Sequence, residues 1–410
     1  MSALDPYALG ARAEAMAAEL GKISAEPDRL VRLFLTPELR RAADLTAKWM
    51  REAGMLVSED ALGTVRGRYG DGKRLLIGSH LDSVIDAGKY DGPLGVICGI
   101  LAVDHFAKAG TKLPFGIDVL AFGDEEGSRF PATMATSMAC AGVFEHETLP
   151  LADQKGITLA DAIKAYGKNA ADIPAAAYKA ADVAGYVEVH IEQGPVLEAK
   201  NQPLGVVTGI VGQSRIKVSV TGMAGHAGTV PMALRHDAYA GAAEMALALE
   251  KIVREHPEDG MVGTVGRIEA LPGAVNIIPG KVTFTVDLRS LSDTLRKDAY
   301  ARFQTDAQKI AKVRGLTVSF DLFHEVATAH MAPTLQEALA ASIKDVGGEA
   351  IHLPSGAGHD AQIMTRLCSS AMMFVRCRGG ISHNPAEFAS VPDMGLAVAA
   401  LIRFIERFKP

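Results

Sequence analysis

The sequence predicts an α/β protein whose main fold carries a second, smaller domain as an insertion. Apolar strand-like runs alternate with helical segments along most of the 410 residues, which is typical of a sheet with helices on both faces. A chain of this length exceeds one ordinary core, so two domains, or one large domain with an insertion, are expected. One internal stretch has the order β-α-β-β-α-β, which is typical of a split, ferredoxin-like unit.

The main domain is predicted over residues 1–211 and 330–410. Helical spacing dominates the first 55 residues, residues 92–110 read as an Ala- and Gly-rich helix, and the Ala- and Lys-rich residues 156–185 are also predicted to be helical. After residue 330 a helix–strand–helix course resumes. The strands predicted in the first part of this domain are 63–69, 73–80, 117–122 and 184–194.

The inserted domain is predicted over residues 212–329. About a hundred residues suffice for a self-contained domain. Its second helix should open at Ser292, because a serine hydroxyl caps free backbone N–H groups at a helix start. Its predicted strands are 214–222, 261–270, 281–290 and 316–325, and its predicted helices are 233–256 and 291–315.

Composition narrows the possible partners and compartment. The net charge is −6, which provides no basic surface for nucleic acid or an anionic membrane. No apolar run approaches the ~18 residues that a membrane span needs. Four scattered cysteines form no CxxC pair, and the N terminus lacks a signal pattern. We therefore expect a cytoplasmic protein that binds neither nucleic acid nor membrane.

Ligand-type side chains are predicted at the carboxyl ends of strands or on the loops that follow, where open α/β sheets bind ligands. Imidazole and carboxylate groups suit Zn²⁺, Mn²⁺ or Co²⁺, and this many could serve two ions about 3.5–4 Å apart. Three adjacent acids in FGDEEGSRF become tolerable beside dications, which offset their mutual repulsion. The residues are His80, Asp91, Asp124, Glu125, Glu126, His190 and His383.

Each motif alone also has a simpler interpretation. GDEEG could be a solvated turn and HNP a turn signal, while His105, His146 and His256 are expected to be packed or surface residues. The HxD spacing puts His80 and Asp82 on one strand face, so Asp82 could hold the other ring nitrogen of His80. The joint occurrence of the motifs is what predicts a metal centre.

These motifs resemble those of the M20 peptidase superfamily, and more narrowly its hydantoinase/carbamoylase branch. That branch holds N-carbamoyl-L-amino acid hydrolases, β-ureidopropionases and allantoate amidohydrolases. The resemblance implies a mixed-sheet, dinuclear-metal, aminopeptidase-like catalytic domain with an inserted lid/dimerisation domain. The matching strings, in family order from residue 78 to residue 387, are GSHLDSV, GKYDGPLGV, GDEEGSRF, VEVHIEQGPVLE, GMAGHAGTVPM, AVNIIPG, VDLRS, SGAGHDA and GGISHNPAE.

The resemblance also implies two divalent ions per subunit, with Zn²⁺ favoured over Mn²⁺ and Co²⁺. His80 and His383 match ligands of opposite ions, Asp91 matches the bridging carboxylate, and Glu126 and His190 match the remaining ligands. HIEQGPVLE and GISHNPAE are specific to the branch. In related peptidases the ligand in the first of these segments is usually an acid, whereas here it is His190.

The catalytic and substrate residues follow from the same resemblance. Glu125 matches the general base that accepts a proton from water. The side chains of Glu125 and Glu126 are expected to point apart, so that Glu126 faces a metal while Glu125 faces the water. His226 matches a histidine that stabilises the oxyanion in the partner subunit's site, which implies a homodimer. The predicted substrate-binding residues are Gln193 for the ureido group, Asn276, Arg289 for a carboxylate, and His359, for which no specific role is derived.

The sequence thus predicts a binuclear metal hydrolase that cuts a linear ureido amide and releases ammonia and CO₂. Allantoate is favoured over N-carbamoyl-L-amino acids and N-carbamoyl-β-alanine on the likeness of GKYDGPLGV and GSRFP. An aminoacylase or aminopeptidase on the same scaffold is an alternative, as is a metal- or ligand-binding homologue without activity. A nucleophile-based amidase is poorly supported, because the chain has no GxSxG elbow and no Cys beside a His.

Overall fold

The computed structural model describes residues 4–255 and 260–410, and the chain divides into two compact units. The larger unit contains the residues up to Thr208 together with Met331–Pro410, and the smaller unit is Gly209–His330. Each unit has its own cluster of buried apolar side chains. Among the described residues, no helix combines the length and apolarity that crossing a membrane requires.

The first part of the chain alternates helices and strands. Its helices are α1 (Pro6–Leu20), α2 (Pro37–Glu52), α3 (Pro93–Ala109), α4 (Ala135–Ala141), α5 (Leu159–Ala165) and α6 (Val196–Ala199). Its strands are β1 (Leu56–Glu59), β2 (Val65–Tyr69), β3 (Arg74–His80), β4 (Gly116–Phe122), β5 (Val183–Ile191) and β6 (Leu204–Ile210).

The smaller unit follows, with the element order β-α-β-β-α-β plus short pairings. Its strands are β7 (Gly212–Thr221), β8 (Gly225–His226), β9 (Val262–Leu271), β10 (Ile277–Ile278), β11 (Lys281–Ser290), β12 (Thr317–Val326) and β13 (Ala329–His330). Its helices are α7 (Ala238–Arg254) and α8 (Asp293–Arg314). The end of the predicted helix 233–256 includes His256, which lies outside the described residues.

The chain then returns to the larger unit. Its final helices are α9 (Pro333–Asp345), α10 (Asp360–Met364) and α11 (Val391–Arg407), and its final strands are β14 (Ile351–Ser355) and β15 (Ser370–Val375). Capping residues in the local sequence explain where several helices begin or end. Ser390 caps α11 by accepting the Asp393 N–H, Ser292 caps α8 as predicted, and Gly110 ends α3 in the left-handed conformation.

The sheet of the larger unit is mixed, which confirms the predicted mixed-sheet α/β class. Its order is β1-β2-β4-β3-β5-β15-β6, with β14 pairing to β6. The four central strands β4, β3, β5 and β15 run parallel, whereas β1, β2 and β6 are antiparallel to their neighbours. Every residue of β3 and β4 is buried, as expected when helices cover both faces.

Helix α3 packs closely against these central strands. It is buried along almost its whole length and contacts β3, β4 and β5. A Cβ at Gly95 would lie 2.1 Å from the carbonyl oxygen of Val189, so only glycine allows this approach. The close packing of α3 fixes the start of the helix, and therefore the loop that precedes it, against the ends of the strands.

The smaller unit has a four-stranded antiparallel sheet in the order β12-β7-β11-β9. Helices α7 and α8 pack against one face, over alternate apolar residues of β7 and β11 such as Val218 and Phe284. The other face carries the intervening polar residues, among them Arg215 and Arg289. The two-residue strands β8 and β10 pair separately as a short ribbon.

Some predicted elements differ from the structure. Residues 156–185 contain α5, the short 3₁₀ turns Ala170–Ala176 and Ala180–Asp182, and the start of β5, so the prediction of a helical stretch there is largely wrong. Gly167, at a φ of 81°, and Pro174 interrupt the helical course. Residues 21–36, within the predicted helical N-terminal region, are irregular between α1 and α2. Strands β1, β6 and β14 were not predicted.

Candidate metal centre

The candidate site lies at the carboxyl ends of the four parallel strands. β3 ends in His80, β5 carries His190 as its penultimate residue, β4 is followed by Asp124–Glu126, and β15 precedes the loop with His383. Because these strands are neighbours and run parallel, their carboxyl ends meet at one edge of the sheet. The fold thus gathers residues that are up to three hundred positions apart in sequence.

Asp91 lies at the centre of this cluster. Its Oδ1 is 3.2 Å from His190 Nε2 and 3.5 Å from His80 Nε2, and its Oδ2 is 3.6 Å from His383 Nε2. The two carboxylate oxygens therefore face different histidines. This is the arrangement that a carboxylate shared by two cations requires.

Gly92 lets Asp91 come this close. It has a φ of 84°, which glycine adopts readily, and a Cβ there would lie 2.4 Å from His80 Cε1. The next residue, Pro93, begins α3. Asp91 therefore lies two residues before the first residue of the tightly packed helix α3, which fixes its position at the sheet edge.

The ring orientations of His80 and His190 suit metal ligation. His80 Nδ1 is 3.1 Å from the backbone oxygen of Asp82, and His190 Nδ1 is 2.9 Å from that of Ile191. A backbone carbonyl can only accept, so each Nδ1 donates, and in the neutral ring each Nε2 is left to bind a cation. The two Nε2 atoms lie 3.4 Å apart, facing the same space as the Asp91 carboxylate.

Glu125 and Glu126 both enter the cluster. Glu125 Oε2 is 3.8 Å from His80 Nε2, and Glu126 Oε2 is 3.4 Å from His383 Nε2. The sequence led us to expect adjacent carboxylates that point apart. In the structure their carboxylates lie beside different histidines, with one oxygen of each within 4.8 Å of the other, on a segment that is bent and not extended.

Asp82 explains that bend. Its Oδ1 accepts the N–H of Glu125 and its Oδ2 accepts the N–H of Glu126, each at 3.1 Å. Two consecutive N–H groups pointing the same way are incompatible with an extended strand. The same carboxylate lies 3.4 Å from His80 Nδ1, so Asp82 links the end of β3 to the acidic loop after β4.

The electrostatics of the cluster favour a bound cation. Burial and the nearby Asp91 raise the pKa of Glu126 to about 8. Burial raises the pKa of Glu125 well above its usual value; His80 opposes this shift, and Glu126 adds to it. Glu126 Oε1 is also buried without a hydrogen-bond partner among the described residues. A bound dication stabilises the ionised form of buried acids whose pKa values are raised, so these glutamates favour cation binding.

Four overlapping groups of ligand-type residues have their ligand atoms within 4.8 Å of one another. Asp91 belongs to two groups that contain different histidines, and all donors are imidazole nitrogens or carboxylate oxygens, which suit divalent transition ions. The residues therefore fit divalent cations. The groups are His80–Asp91–His190, His80–Glu125–Glu126, Asp91–Glu126–His383 and Glu188–His190–His359.

Two residues of the GGISHNPAE segment support Asp91 and were not predicted. Ser382 Oγ lies within hydrogen-bonding distance of both Asp91 Oδ2 and Glu387 Oε2 and has one proton to donate between them. Glu387 Oε1 accepts the backbone N–H groups of Tyr90 and Asp91, at 2.9 and 3.1 Å. Glu387 was visible as an acid four residues after His383, but only the fold brings it beneath the Asp91 loop.

Other residues of the larger unit lie around the cluster. Gln193 donates from Nε2 to Asp91 Oδ2 at 2.8 Å, while its Oε1 is buried without a partner among the described residues. The His359 ring lies 4.4 Å from the His190 ring, and its Nε2 is 2.8 Å from Ser355 Oγ. Asp124 is turned toward the start of α4, where its Oδ2 accepts the Ala135 N–H at 3.4 Å.

The smaller unit holds the remaining candidates. The β8–β10 ribbon pairs His226 with Ile277, and the Ala227 N–H donates to the backbone oxygen of Asn276, so His226 and Asn276 are brought together and both are exposed. The Gly228 N–H donates to His226 Nδ1, which assigns the ring proton to Nε2.

Arg289 lies separately, on the open face of β11. Its Nε and Nη2 donate to the two carboxylate oxygens of Asp287 at 2.9 and 3.0 Å. Asp287 also accepts from Gln213 at 2.7 Å. This pairing holds the guanidinium in one orientation on the open sheet face.

Comparison with known proteins places the chain among amidohydrolases. Residues 76–407 match the peptidase family M20/M25/M40. An allantoate deiminase from Arabidopsis thaliana is 43% identical, covering 95% of this chain and 80% of its own. An N-carbamoyl-L-amino acid amidohydrolase from Geobacillus stearothermophilus is 40% identical, covering 93% and 94%. The crystal structure of a hydantoinase/carbamoylase family amidase from Burkholderia multivorans superposes with a TM-score of 0.91 at 32% identity, covering 97% of both chains.

Proposed function

The chain belongs to the peptidase family M20/M25/M40, and we propose that it hydrolyses a linear ureido (N-carbamoyl) amide bond in a small carboxylate substrate. Water and the R–NH–CO–NH₂ group give R–NH₂, CO₂ and NH₃. The observation that carries the proposal is the convergence of Asp91, three histidines and the acids Glu125 and Glu126, with nitrogen–oxygen distances of 3.2–3.8 Å, at one sheet edge.

Allantoate is the substrate we propose first. Relatives at 43% and 40% identity over most of the chain are named for allantoate and for N-carbamoyl-L-amino acids, and both substrates carry a carbamoyl group near a carboxylate. N-carbamoyl-L-amino acids and N-carbamoyl-β-alanine are the next candidates. No feature of the described residues favours an aminoacylase or aminopeptidase over these ureido substrates.

We assign two divalent cations to the site, Zn²⁺ first and Mn²⁺ or Co²⁺ as alternatives. His80 and His383 would ligate opposite ions, Asp91 would be shared, and Glu126 and His190 would complete the set. Such ions, when bound, act as Lewis acids that polarise the carbamoyl oxygen and make water more acidic. The Nδ1 hydrogen bonds of His80 and His190, which turn each Nε2 toward the cluster, and the orphaned Glu126 oxygen support this assignment.

Glu125 is the proposed general base. It accepts a proton from the attacking water and delivers it to the leaving nitrogen, which is the role of a positioned carboxylate in amide hydrolysis. Its carboxylate reaches the cluster beside His80, with Oε2 3.8 Å from His80 Nε2. Asp82 supports this role by holding the Glu125 backbone.

The smaller unit is proposed to supply the oxyanion donor and the carboxylate anchor. His226 has its proton on Nε2, which suits it to donate to the carbamoyl oxygen as negative charge develops there. Asn276, beside it on the ribbon, adds an amide donor. Arg289, whose guanidinium Asp287 holds in one orientation, is the proposed cation for a substrate carboxylate.

Two residues of the larger unit complete the proposed substrate contacts. The buried Oε1 of Gln193 is an acceptor suited to the N–H groups of a ureido substrate. His359 packs edge-on against His190, and burial and the neighbouring His190 hold its pKa well below the usual value. A neutral His359 could therefore contact an uncharged carbamoyl group.

We further propose that residues 1–211 and 330–410 form the catalytic domain and that 212–329 form a ferredoxin-like lid/dimerisation domain. A homodimer would bring His226 of one subunit to the site of the other, as in the family that the motifs resemble. The edge strand β9 supports this, since it exposes Val262 and Ile268 beside an unpaired backbone edge. The scattered cysteines support a reducing, cytoplasmic location.

An ammonia-release screen on the metal-reconstituted protein tests the function. Allantoate, N-carbamoyl-β-alanine, several N-carbamoyl-L-amino acids and a dipeptide are compared at equal concentration with each of Zn²⁺, Mn²⁺ and Co²⁺. Ammonia release from a ureido substrate, with no dipeptide cleavage, is the expected result. Cleavage of the dipeptide alone would replace the proposal with the aminopeptidase alternative.

A further inference from the structure

Arg32 is a buried cation that takes no part in the proposed ligand set. It is 1% exposed, and it lies on the irregular segment between α1 and α2. Its Nε donates to the carbonyl oxygen of Leu81, and its Nη1 donates to those of Leu20 and Ile23, at 3.0 and 3.2 Å. Burying an arginine is costly unless it is hydrogen-bonded, so these three carbonyls account for its retention in the interior.

The backbone of Arg32 is also hydrogen-bonded to the loop after β3, at the residue that follows Asp82. Its N–H donates to Ser83 Oγ, and its carbonyl oxygen accepts the Ser83 N–H, each at 3.0 Å. Arg32 is therefore bonded to the residue before Asp82 and to the residue after it. Asp82 is the residue that receives the N–H groups of Glu125 and Glu126.

Arg129 connects the acidic loop after β4 to the irregular segment between α1 and α2. Its Nη1 donates to the carbonyl oxygens of Phe34 and Leu35, at 2.7 and 2.9 Å, and its Nε donates to Asp153 at 3.0 Å. Arg129 stands three residues after Glu126. Residues 32–35 thus hold the loop after β3 through Arg32 and the loop after β4 through Arg129.

The backbone of this segment is strained at the point of attachment. Leu35 has a φ of 52°, in the left-handed region that a leucine rarely adopts. Such strain persists only where the surroundings over-determine it, and it gathers near functional sites. The carbonyl oxygen of this strained residue is one of the two that receive Arg129.

We infer that residues 32–35, which we call the strut, position the metal centre by setting the separation between His80–Asp82 and Glu125–Glu126. Arg32 and Arg129 are its two attachments and act as positioning residues, since neither touches the ligand cluster. Both attachments act on the surroundings of Asp82. Arg32 holds the residues on either side of Asp82, and Arg129 holds the acidic loop whose N–H groups Asp82 accepts. The catalytic part of this inference rests on the proposed function, but the metal-binding part does not.

The test replaces each attachment and measures metal binding apart from activity. Arg32→Met and Arg129→Met are compared with Arg74→Met as a matched control. Arg74 is buried at the opposite end of β3, where it donates to the Gly70 and Ile117 carbonyls and to Asp118. The readouts are Co²⁺ affinity by chelator competition, the visible absorption spectrum of the Co²⁺ form, thermal unfolding, and kcat and KM.

We expect Arg32→Met and Arg129→Met each to weaken Co²⁺ binding about 10–100-fold and to lower kcat more than they raise KM, as loss of groups supporting metal ligands does. The Co²⁺ spectrum should shift in both. Arg74→Met should lower the unfolding temperature while Co²⁺ affinity, spectrum and kcat stay at wild-type values. In the double variant the loss of Co²⁺ affinity should be smaller than the product of the single losses, because both act through one strut.

If the methionine variants fail to fold, the lysine variants Arg32→Lys and Arg129→Lys test the positioning role instead. A lysine keeps the charge and one donor, so it should recover part of the Co²⁺ affinity. Wild-type Co²⁺ affinity and spectrum in folded Arg32 and Arg129 variants would overturn the inference, leaving the arginines as stability elements only. If no ureido substrate is turned over but the Co²⁺ readouts change as expected, the proposed function fails and the strut stands.

Discussion

The two units of the chain present their functional candidates in opposite ways. In the larger unit, His80, Asp91 and His190 are buried and within 3.5 Å of one another, held by backbone carbonyls and neighbouring loops. In the smaller unit, His226 and Asn276 are exposed on a two-residue ribbon. The difference indicates that the proposed cation site lies within the larger unit, whereas the proposed substrate-binding groups of the smaller unit are exposed before a substrate binds.

That contrast has a physical reason. A cluster of acids and imidazoles is stable only when its members are fixed close together around a cation, so it must be built into a rigid sheet edge. Groups that bind a substrate must be accessible before the substrate arrives, and closure then excludes water. The comparison predicts that variants in the larger unit affect metal and chemistry, and variants in the smaller unit affect substrate.

Metal removal should have the largest effect. Chelation is expected to abolish ammonia release and to lower the unfolding temperature, because Glu125, Glu126 and Asp91 are left without a cation. Saturation at about a thousand times Kd is worth about 4 kcal/mol to the folded state. Calorimetry of the stripped and Zn²⁺-, Mn²⁺- or Co²⁺-reconstituted protein measures this. Equal unfolding temperatures and equal activity in both forms would refute the cation assignment.

Glu125→Gln should have the next largest effect. The amide cannot accept a proton, so kcat should fall by about 10²–10⁴-fold, the usual contribution of a general base. Metal content, measured by elemental analysis, should stay at the wild-type level because Glu125 is not among the proposed ligands. Activity near wild type with full metal would remove Glu125 from the base role.

His226→Ala should lower kcat by about 10²–10³-fold, as loss of an oxyanion donor does. Since His226 lies on an exposed ribbon of the smaller unit, the Co²⁺ spectrum of the metal centre should not change. His324→Ala, in β12 of the same unit, is the matched control and should keep wild-type kcat. A Co²⁺ spectrum altered by His226→Ala, or an unchanged kcat, would contradict the division of labour between the units.

Arg289→Ala is expected to have the smallest effect on chemistry. Loss of a charge-assisted contact of about 1.5–3 kcal/mol should raise KM for carboxylate substrates by about 10–100-fold with little change in kcat. Asp287 keeps Gln213 and Arg215 as partners, so folding should be preserved. Arg215→Ala is the control, since it removes the neighbouring cation on the same carboxylate. A KM equal to wild type in Arg289→Ala would exclude Arg289 from substrate binding.

Much of the fold was predictable because its patterns are local. The strand 281–290 was predicted with the bounds it has, and α8 begins at the serine cap that the sequence indicated. The failures have local causes too. Residues 156–185 have helical composition, but Gly167 and Pro174 interrupt the helix. Strand β14 is only five residues long and contains Pro354, which cannot donate a sheet hydrogen bond and argues against a strand in the sequence.

The candidate site was predictable as a set of residues but not as an arrangement. The sequence identified the residues that cluster around Asp91, because ligand-type side chains at strand ends are a recognisable pattern. It did not indicate that Asp82 would bend the acidic loop by accepting two consecutive N–H groups. It also did not single out Glu387, whose contacts with the Asp91 loop join residues almost three hundred positions apart.

By itself, the sequence determined the α/β class, the inserted element order, the family resemblance and the chemistry of the donors, since these depend on residue type and local periodicity. Only the tertiary structure decided which donors meet and how they are oriented. The placement of Glu125 and Glu126 and the Arg32 and Arg129 attachments depend on hydrogen bonds between backbone groups and distant segments. Backbone carbonyls and N–H groups are the same in every residue, so their partners follow only from the fold.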